Sequence, residues 1–236
     1  MMHPAVFVER LGRRGKFDDG FYLQLITLLI GAAGFAVLAW MVTSGTVFFI
    51  DSKLLQELRT PQDSSIPVGP WWLQKFMIDV TALGGVSVIA LLTALVAFYL
   101  LARRQIGMAV FLTATVSLGA AIGTLLKQVF DRPRPDVVTH LADVATTSFP
   151  SAHAMNSAIL YLTLSALLAQ SHTARPVKIY VFCAGIVLTF TIGFSRVYLG
   201  VHWPSDVVAG WCAGGVWALL CSMIARRITD QRMVNP

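Results

Sequence analysis

Apolar stretches alternate with short polar breaks along the chain, and the breaks carry nearly all of the charge. The first apolar run covers 21–43. A helix needs about 20 apolar residues to cross a bilayer, while the apolar core of a cleavable signal peptide runs to roughly 7–15. The run is therefore expected to be a retained first span. Val47, Phe48, Phe49 and Ile50, followed by Leu54, Leu55 and Leu58, predict a short amphipathic helix lying at the membrane surface. Pro61, Pro67, Gly69 and Pro70 break it, and Trp71 and Trp72 suit a membrane–water boundary.

Further spans are predicted over 79–102, 107–130, 151–170, 179–194 and 204–225. Asp79 is expected to be a cap or first-turn charge of the second. Arg103-Arg104-Gln105 and the 171–178 segment form the short turns on one side. Pro133 and Pro135 end the third span, because proline lacks an N–H and disfavours helix before it. The expected architecture is an all-α, polytopic membrane protein. It is a six-helix bundle with one interfacial helix between spans 1 and 2, a single domain over 1–236.

Composition agrees with this pattern. The chain is 56% hydrophobic and 13% charged, where a soluble domain is nearer about 25% charged. Few charges are what a lipid-embedded chain needs. The net charge of +6 does not point to nucleic acid, because the basic residues form no continuous face. Cys183, Cys212 and Cys221 lie inside apolar runs without metal-ligand spacing, and are expected to be packing residues. The expected surroundings are a lipid bilayer.

Six spans put both termini on one side. That side holds eleven basic residues: Arg10, Arg13, Arg14, Lys16, Arg103, Arg104, Arg175, Lys178, Arg226, Arg227 and Arg232. The other side holds seven: Lys53, Arg59, Lys75, Lys127, Arg132, Arg134 and Arg196. Basic excess marks the cytoplasmic side, so both termini are expected in the cytoplasm. The short chain and lean loops suggest a bacterial cytoplasmic (inner) membrane.

Three polar clusters then share the outer face. Lys127 and Arg134 offer a point charge and a flat donor fork, a good pair for a tetrahedral oxyanion. Alone they read equally as a snorkelling lysine and a flanking arginine. Pro150-Ser151-Ala152-His153 opens the fourth span. Ser151 suits an N-cap, the first-turn N–H groups suit an anion, and His153 can donate a proton to a departing oxygen. Alone this cluster also reads as a capped helix with an interfacial histidine. His202 and Asp206 are four apart, with Pro204 suited to a first helical turn, so both can lie on one side of a helix start. A carboxylate on one imidazole nitrogen fixes the tautomer and leaves the other free to attack. Arg196, six residues before His202, can bind the same anion. Asp131, Arg132, His140, Asn156 and Tyr198 lie near these clusters and read equally as lining, loop or packing residues.

The pattern Lys127-x6-Arg134-Pro135, Pro150-Ser151-Ala152-His153, Ser195-Arg196-x5-His202-x3-Asp206 resembles the three-part signature of the type 2 phosphatidic acid phosphatase superfamily. One departure is visible: Ala152 stands where that signature has glycine. The resemblance implies His202 as nucleophile, forming a phosphohistidine, and Asp206 as its orienting carboxylate. It implies His153 as acid to the leaving group and then base to water. Lys127, Arg134, Arg196 and Ser151, with the Ala152 and His153 amides, would hold the phosphoryl oxygens. No metal or cofactor is implied. The expected activity is hydrolysis of a phosphorylated membrane lipid at the outer face. Polyprenyl (undecaprenyl) diphosphate and phosphatidic acid or phosphatidylglycerol phosphate are the leading substrates. Phosphotransfer to a second acceptor is the alternative. Transport is disfavoured, since it predicts charge through the bilayer depth and the spans are nearly free of it.

Overall fold

The computed structural model describes residues 19–171 and 173–234, with Asp19 and the residues past Ala225 as backbone only. The basic stretch from Arg10 to Lys16, and the side chains of Arg226, Arg227 and Arg232, lie outside the described residues. Eight helices occur among them: α1 (Asp19–Thr43), α2 (Phe48–Glu57), α3 (Trp71–Ala82), α4 (Val86–Ala102), α5 (Ile106–Phe130), α6 (Ala152–Ser171), α7 (Arg175–Tyr198) and α8 (Pro204–Val234). Two short strands, β1 (Arg59–Thr60) and β2 (Asp63–Pro67), pair antiparallel between α2 and α3.

Five helices are long and apolar enough to cross a membrane. The pair α3 and α4, bent by 52°, counts as a sixth span if taken together. This bend corrects the sequence reading of 79–102. Helix begins eight residues earlier, at Trp71, and breaks at 83–85, where Gly84-Gly85 interrupts the ladder. Asp79 is therefore neither a cap nor a first-turn charge; it is an exposed residue near the end of α3. The fifth predicted span, α7, is also longer than 179–194, because Pro176 is tolerated in its first turn. A helix does form at Phe48–Glu57, as the apolar pattern predicts.

The buried centre is α6, which packs mainly on α7 and α8 and also on α5. Its Met155, Ile159 and Leu160 meet Leu112 and Val116 of α5 and Ile192 of α7 in the largest apolar cluster. Indole N–H groups tie the bundle across: Trp211 donates to Thr189 O at 3.1 Å and Trp217 to Thr115 O at 2.7 Å. In hydrocarbon an unpaired N–H is costly, so each ring packs and is satisfied together. α6 and α8 approach closely at Gly214. A Cβ there would fall 2.5 Å from Met155 O and 2.8 Å from Ala158 Cβ. Small residues of this kind are how membrane helices come close enough to bond by packing.

The consequence is that four helix ends carrying the polar clusters meet at one end of the bundle. They are the C-terminal ends of α5 and α7 and the N-terminal ends of α6 and α8. Gly214→Ala is expected to lower the thermal melting point in detergent, with a cost on the order of 1–3 kcal/mol from overpacking. Gly215→Ala, where a Cβ meets nothing within 4 Å, is the control and should melt no lower than wild type.

Candidate active site

Helix α8 starts at Pro204, and its third residue, Asp206, reaches back to the residue before the helix. Asp206 Oδ2 accepts the Trp203 N–H at 3.0 Å. This is one half of a capping box, and the helix dipole favours a carboxylate there. Oδ2 also accepts the Ser148 hydroxyl and lies 3.3 Å from His202 Nδ1. Oδ1 accepts Arg132 Nη1 at 2.6 Å. Asp206 is fully buried, so these donors are what makes its charge tolerable.

His202 is likewise buried, at 2% exposure. Its Nε2 lies 3.2 Å from Arg134 Nη1. A guanidinium can only donate, so Nε2 carries the lone pair and Nδ1 carries the proton given to Asp206. The tautomer is thus set from both sides. Burial first, and then the charges of Arg134, Arg196 and Lys127, hold His202 well below the ordinary histidine range. It is neutral at neutral pH.

Arg134 is set by the segment that precedes α6. Its Nε donates to Thr146 O at 2.6 Å, its Nη1 to Val201 O, and its Nη2 to the Thr146 hydroxyl at 3.4 Å. The sharp turn that delivers it depends on Asp131, which ends α5 in the left-handed conformation at φ 40°. Lys127, one turn inside α5, is buried; its ammonium donates to Thr147 O, and the Thr147 hydroxyl donates back to Lys127 O at 3.1 Å.

Ser151 caps α6. Its hydroxyl accepts the Ala154 N–H at 3.5 Å and its carbonyl the Met155 N–H at 2.9 Å. Its own N–H donates to Asp206 O at 3.0 Å, which joins the second cluster to the third through the backbone. The amides of Ala152 and His153 take no acceptor among the described residues. Ala152 does not have a positive φ; among non-glycine described residues only Arg104 and Asp131 do. Alanine therefore meets no backbone strain at the position where the signature has glycine.

His153 stands beside the break between α3 and α4. A Cβ on Gly84 would lie 3.1 Å from His153 O and 3.3 Å from its Cβ, and one on Gly85 would lie 3.9 Å from its Nε2. The break thus makes room for the imidazole. The last turn of α3 also supplies Thr81, whose hydroxyl accepts Arg196 Nη1 at 3.0 Å. Arg196 is buried at the end of α7, and its Nε has no hydrogen-bond partner among the described residues.

All eight residues singled out from the sequence therefore stand at the same end of the bundle. Five polar residues that hold them were not singled out as functional: Thr81, Arg132, Thr146, Thr147 and Ser148; a sixth, Asp51, holds Arg132. Asp51 left one signal, a carboxylate four residues before Leu55 on the inner face of α2. Ser148 and Thr146 left none, because their loop has no periodicity. Of the other nearby residues, Tyr198 is a tether, donating its hydroxyl to Val68 O at 2.9 Å, and His140 pairs with Pro135 O at 2.6 Å.

A family model described as the PAP2 superfamily matches residues 107–230. The chain belongs to that superfamily. Its similar proteins are lipid phosphatases, and the class of reaction is phosphoric-ester hydrolysis. Phosphatidylglycerophosphatase B of Bacillus subtilis is 29% identical over 145 residues, 61% of this chain and 70% of that protein. An undecaprenyl-diphosphatase of Sulfolobus acidocaldarius is 33% identical over 116 residues, 47% of this chain and 51% of that protein. The crystal structure of a transmembrane PAP2-type phosphatidylglycerolphosphate phosphatase from Bacillus subtilis superposes with TM-score 0.74 at 25% identity, covering 86% of this chain and 97% of the other. The chain thus spans most of one relative and about half of the other.

The role expected of His202, attack on phosphorus, needs its neutral form, and depressed proton affinity keeps it neutral as pH falls through the ordinary histidine value of about 6.5. The acid limb of kcat/KM is expected below that value. Arg134→Gln removes a charge that disfavours the imidazolium, so it should lower kcat/KM and move the acid limb to higher pH. A pH–rate series on both proteins checks this.

Proposed function

We propose that this chain hydrolyses a phosphorylated membrane lipid through a phosphohistidine, at the outer face of a bacterial cytoplasmic membrane. One observation carries the reading: a donor-only guanidinium meets the lone-pair nitrogen of a histidine whose other nitrogen is held by a buried carboxylate. A phosphoryl group seated at Arg134 is in reach of that lone pair. His202 Nε2 attacks phosphorus, and the bond from phosphorus to the lipid or leaving-phosphate oxygen breaks. His153 gives that oxygen its proton. His153 then takes a proton from water, the hydroxide attacks phosphorus, and the P–N bond breaks to regenerate His202 and release phosphate. Arg134, Lys127, Arg196 and the Ala152 and His153 amides bear on the phosphoryl oxygens, where fixed donors in a dry site contribute most of the rate. The unpaired Arg196 Nε supports this, being a buried donor without an acceptor.

The lipid environment is supported by the two cavities. One, of about 270 Å³, borders Arg132, Arg134 and Asp136 on one side and Val42, Val47, Phe48 and Trp203 on the other. It suits the junction of a charged head group and an apolar chain. The second, of about 230 Å³, is apolar, between Ala32 and Phe35 of α1, Ile122, Met155 and Trp217. The outer surface of α2 exposes Phe48, Phe49, Ile50 and Leu54, as an interfacial helix would. The turn at Arg103 and Arg104 lies at the opposite end from the site, in keeping with the basic excess on the cytoplasmic side.

The two Bacillus likenesses make phosphatidylglycerol phosphate the first substrate to test. The Sulfolobus relative makes undecaprenyl diphosphate the second. Purified protein is expected to release phosphate from at least one lipid of a panel containing these and phosphatidic acid. His202→Ala should remove that activity while leaving the melting curve in place, and retained turnover would end the nucleophile assignment. Vanadate, which mimics five-coordinate phosphorus, should inhibit competitively; insensitivity would count against the donor arrangement.

A further inference from the structure

Asp51 lies on α2, outside the residues that the family model matches. It is 1% exposed. Its Oδ1 accepts the Ser205 N–H at 2.9 Å. Its Oδ2 accepts Arg132 Nη2 at 2.8 Å and the Ser205 hydroxyl. Arg132 turns its other terminal nitrogen, Nη1, onto Asp206 Oδ1 at 2.6 Å and the Ser205 hydroxyl oxygen at 2.8 Å. The guanidinium carbon also sits 5.2 Å from the centre of the Trp203 ring. One arginine therefore spans two buried carboxylates, and one of them is the partner of His202.

The plainer account is that Asp51 caps α8, since Ser205 is in its first turn. That accounts for Oδ1 and the Ser205 amide. It does not account for Oδ2 on Arg132, nor for Arg132 reaching on to Asp206. Charge balance does. Arg132 and Asp206 alone would be a neutral pair. The field that Asp206 offers to His202 would then be largely cancelled, just when attack on phosphorus makes the imidazole cationic. With Asp51 at the other end, Asp51, Arg132 and Asp206 together carry −1. Arg132 still fixes Asp206 through Oδ1, leaving Oδ2 to face Nδ1.

We propose that Asp51 is a positioning residue for the phosphoryl-transfer step: by sharing Arg132 with Asp206 it keeps the carboxylate behind His202 both aligned and net negative. The proposal rests on the reading of His202 as nucleophile. It extends the His202–Asp206 pair into a chain of four, His202, Asp206, Arg132 and Asp51, and carries it from α8 to the helix that follows the first span. The opposite face of that helix exposes Phe49, while Phe48, on the same face as Asp51, packs on Trp203, so the seating of α2 bears directly on the reaction.

The test is a charge cycle on the purified full chain in mixed micelles. Wild type, His202→Ala, Asp51→Asn, Arg132→Gln and Asp51→Asn/Arg132→Gln are assayed for phosphate release. The lipids are phosphatidylglycerol phosphate, phosphatidic acid and undecaprenyl diphosphate, and rates are compared on the lipid with the highest wild-type kcat/KM. Asp51→Asn keeps the shape and loses the charge. It should lower kcat about tenfold or more, with KM within about twofold, because the charge matters once His202 becomes cationic. Adding Arg132→Gln removes the now unbalanced cation, so the double variant should turn over faster than Asp51→Asn. A purely structural role predicts the reverse, since each loss of a buried partner adds damage. Wild-type kcat in Asp51→Asn, or a double variant no faster than it, overturns the proposal. Should Asp51→Asn fail to melt cooperatively, the double variant decides against wild type: with Asp206 left as the one charge of the three it should keep kcat within about tenfold of wild type, and a greater loss overturns the proposal. Retained turnover in His202→Ala, or no phosphate release by wild type, overturns the nucleophile reading itself and is distinct from both outcomes.

Discussion

The end of the bundle that carries the polar clusters is organised by one buried carboxylate. Asp206 has no exposed surface, yet it faces His202, Ser148, Trp203 and Arg132. An ionised carboxylate in so dry a place is costly unless every lone pair is met. Meeting them fixes much else. The Trp203 amide closes the first turn of α8. Ser148 pins the loop before α6. Arg132 pins the chain leaving α5. Even the Asp206 carbonyl is used, by the Ser151 amide. Three stretches far apart in sequence are therefore held by the two ends of a single residue, its carboxylate and its backbone oxygen.

Close approach of the helices is what permits this. Gly214 lets α6 and α8 come together beneath the site, and Gly84 lets α3 stop short and His153 fit over the gap. Without the break, an unbroken second span would carry a side chain into the space next to His153 and Ile192. The break also leaves Thr81 on the last turn of α3, where its hydroxyl can receive Arg196. The same two glycines thus serve packing and chemistry, which is why the second span could not be a plain apolar rod.

The helices of the fold were legible because apolar runs of span length have few alternative explanations, and their boundaries mostly fall at proline or charge. The second span was misplaced because Trp71 to Ala82 mixes apolar and polar residues and lies before a glycine pair that hydropathy does not register. The residues at the site were legible for a different reason: His202 and Asp206 are held by a fixed local spacing, and so are the cap residues from Ser151. Residues that act by supporting others carry no such spacing. Asp51, Thr81 and Ser148 make their contacts across 154, 115 and 58 positions in the chain, and only the folded bundle brings them there. Arg132 was visible as a charge beside prolines, but nothing in the sequence said that it faces two carboxylates.

The way the cations are held also bears on how such a site accelerates a reaction. Arg134 and Lys127 are not loose charges waiting in solvent. Arg134 rests on the carbonyls of Thr146 and Val201, and Lys127 on the carbonyl of Thr147. Neutral carbonyls hold a cation in place but bind it less strongly than a phosphoryl oxyanion does. Charge that builds on phosphorus can therefore draw on donors already aimed and already stripped of most water. Little reorganisation is left for the moment of reaction, and the gain is largest where charge is most developed, at the transition state. For the proposed attack by His202, the contact between Arg134 and His202 Nε2 adds a further step: the cation must exchange the imidazole lone pair for a phosphoryl oxygen first. In the proposed reaction, seating the phosphate and freeing His202 are then one event, so the histidine is uncovered only when there is phosphorus for it to meet.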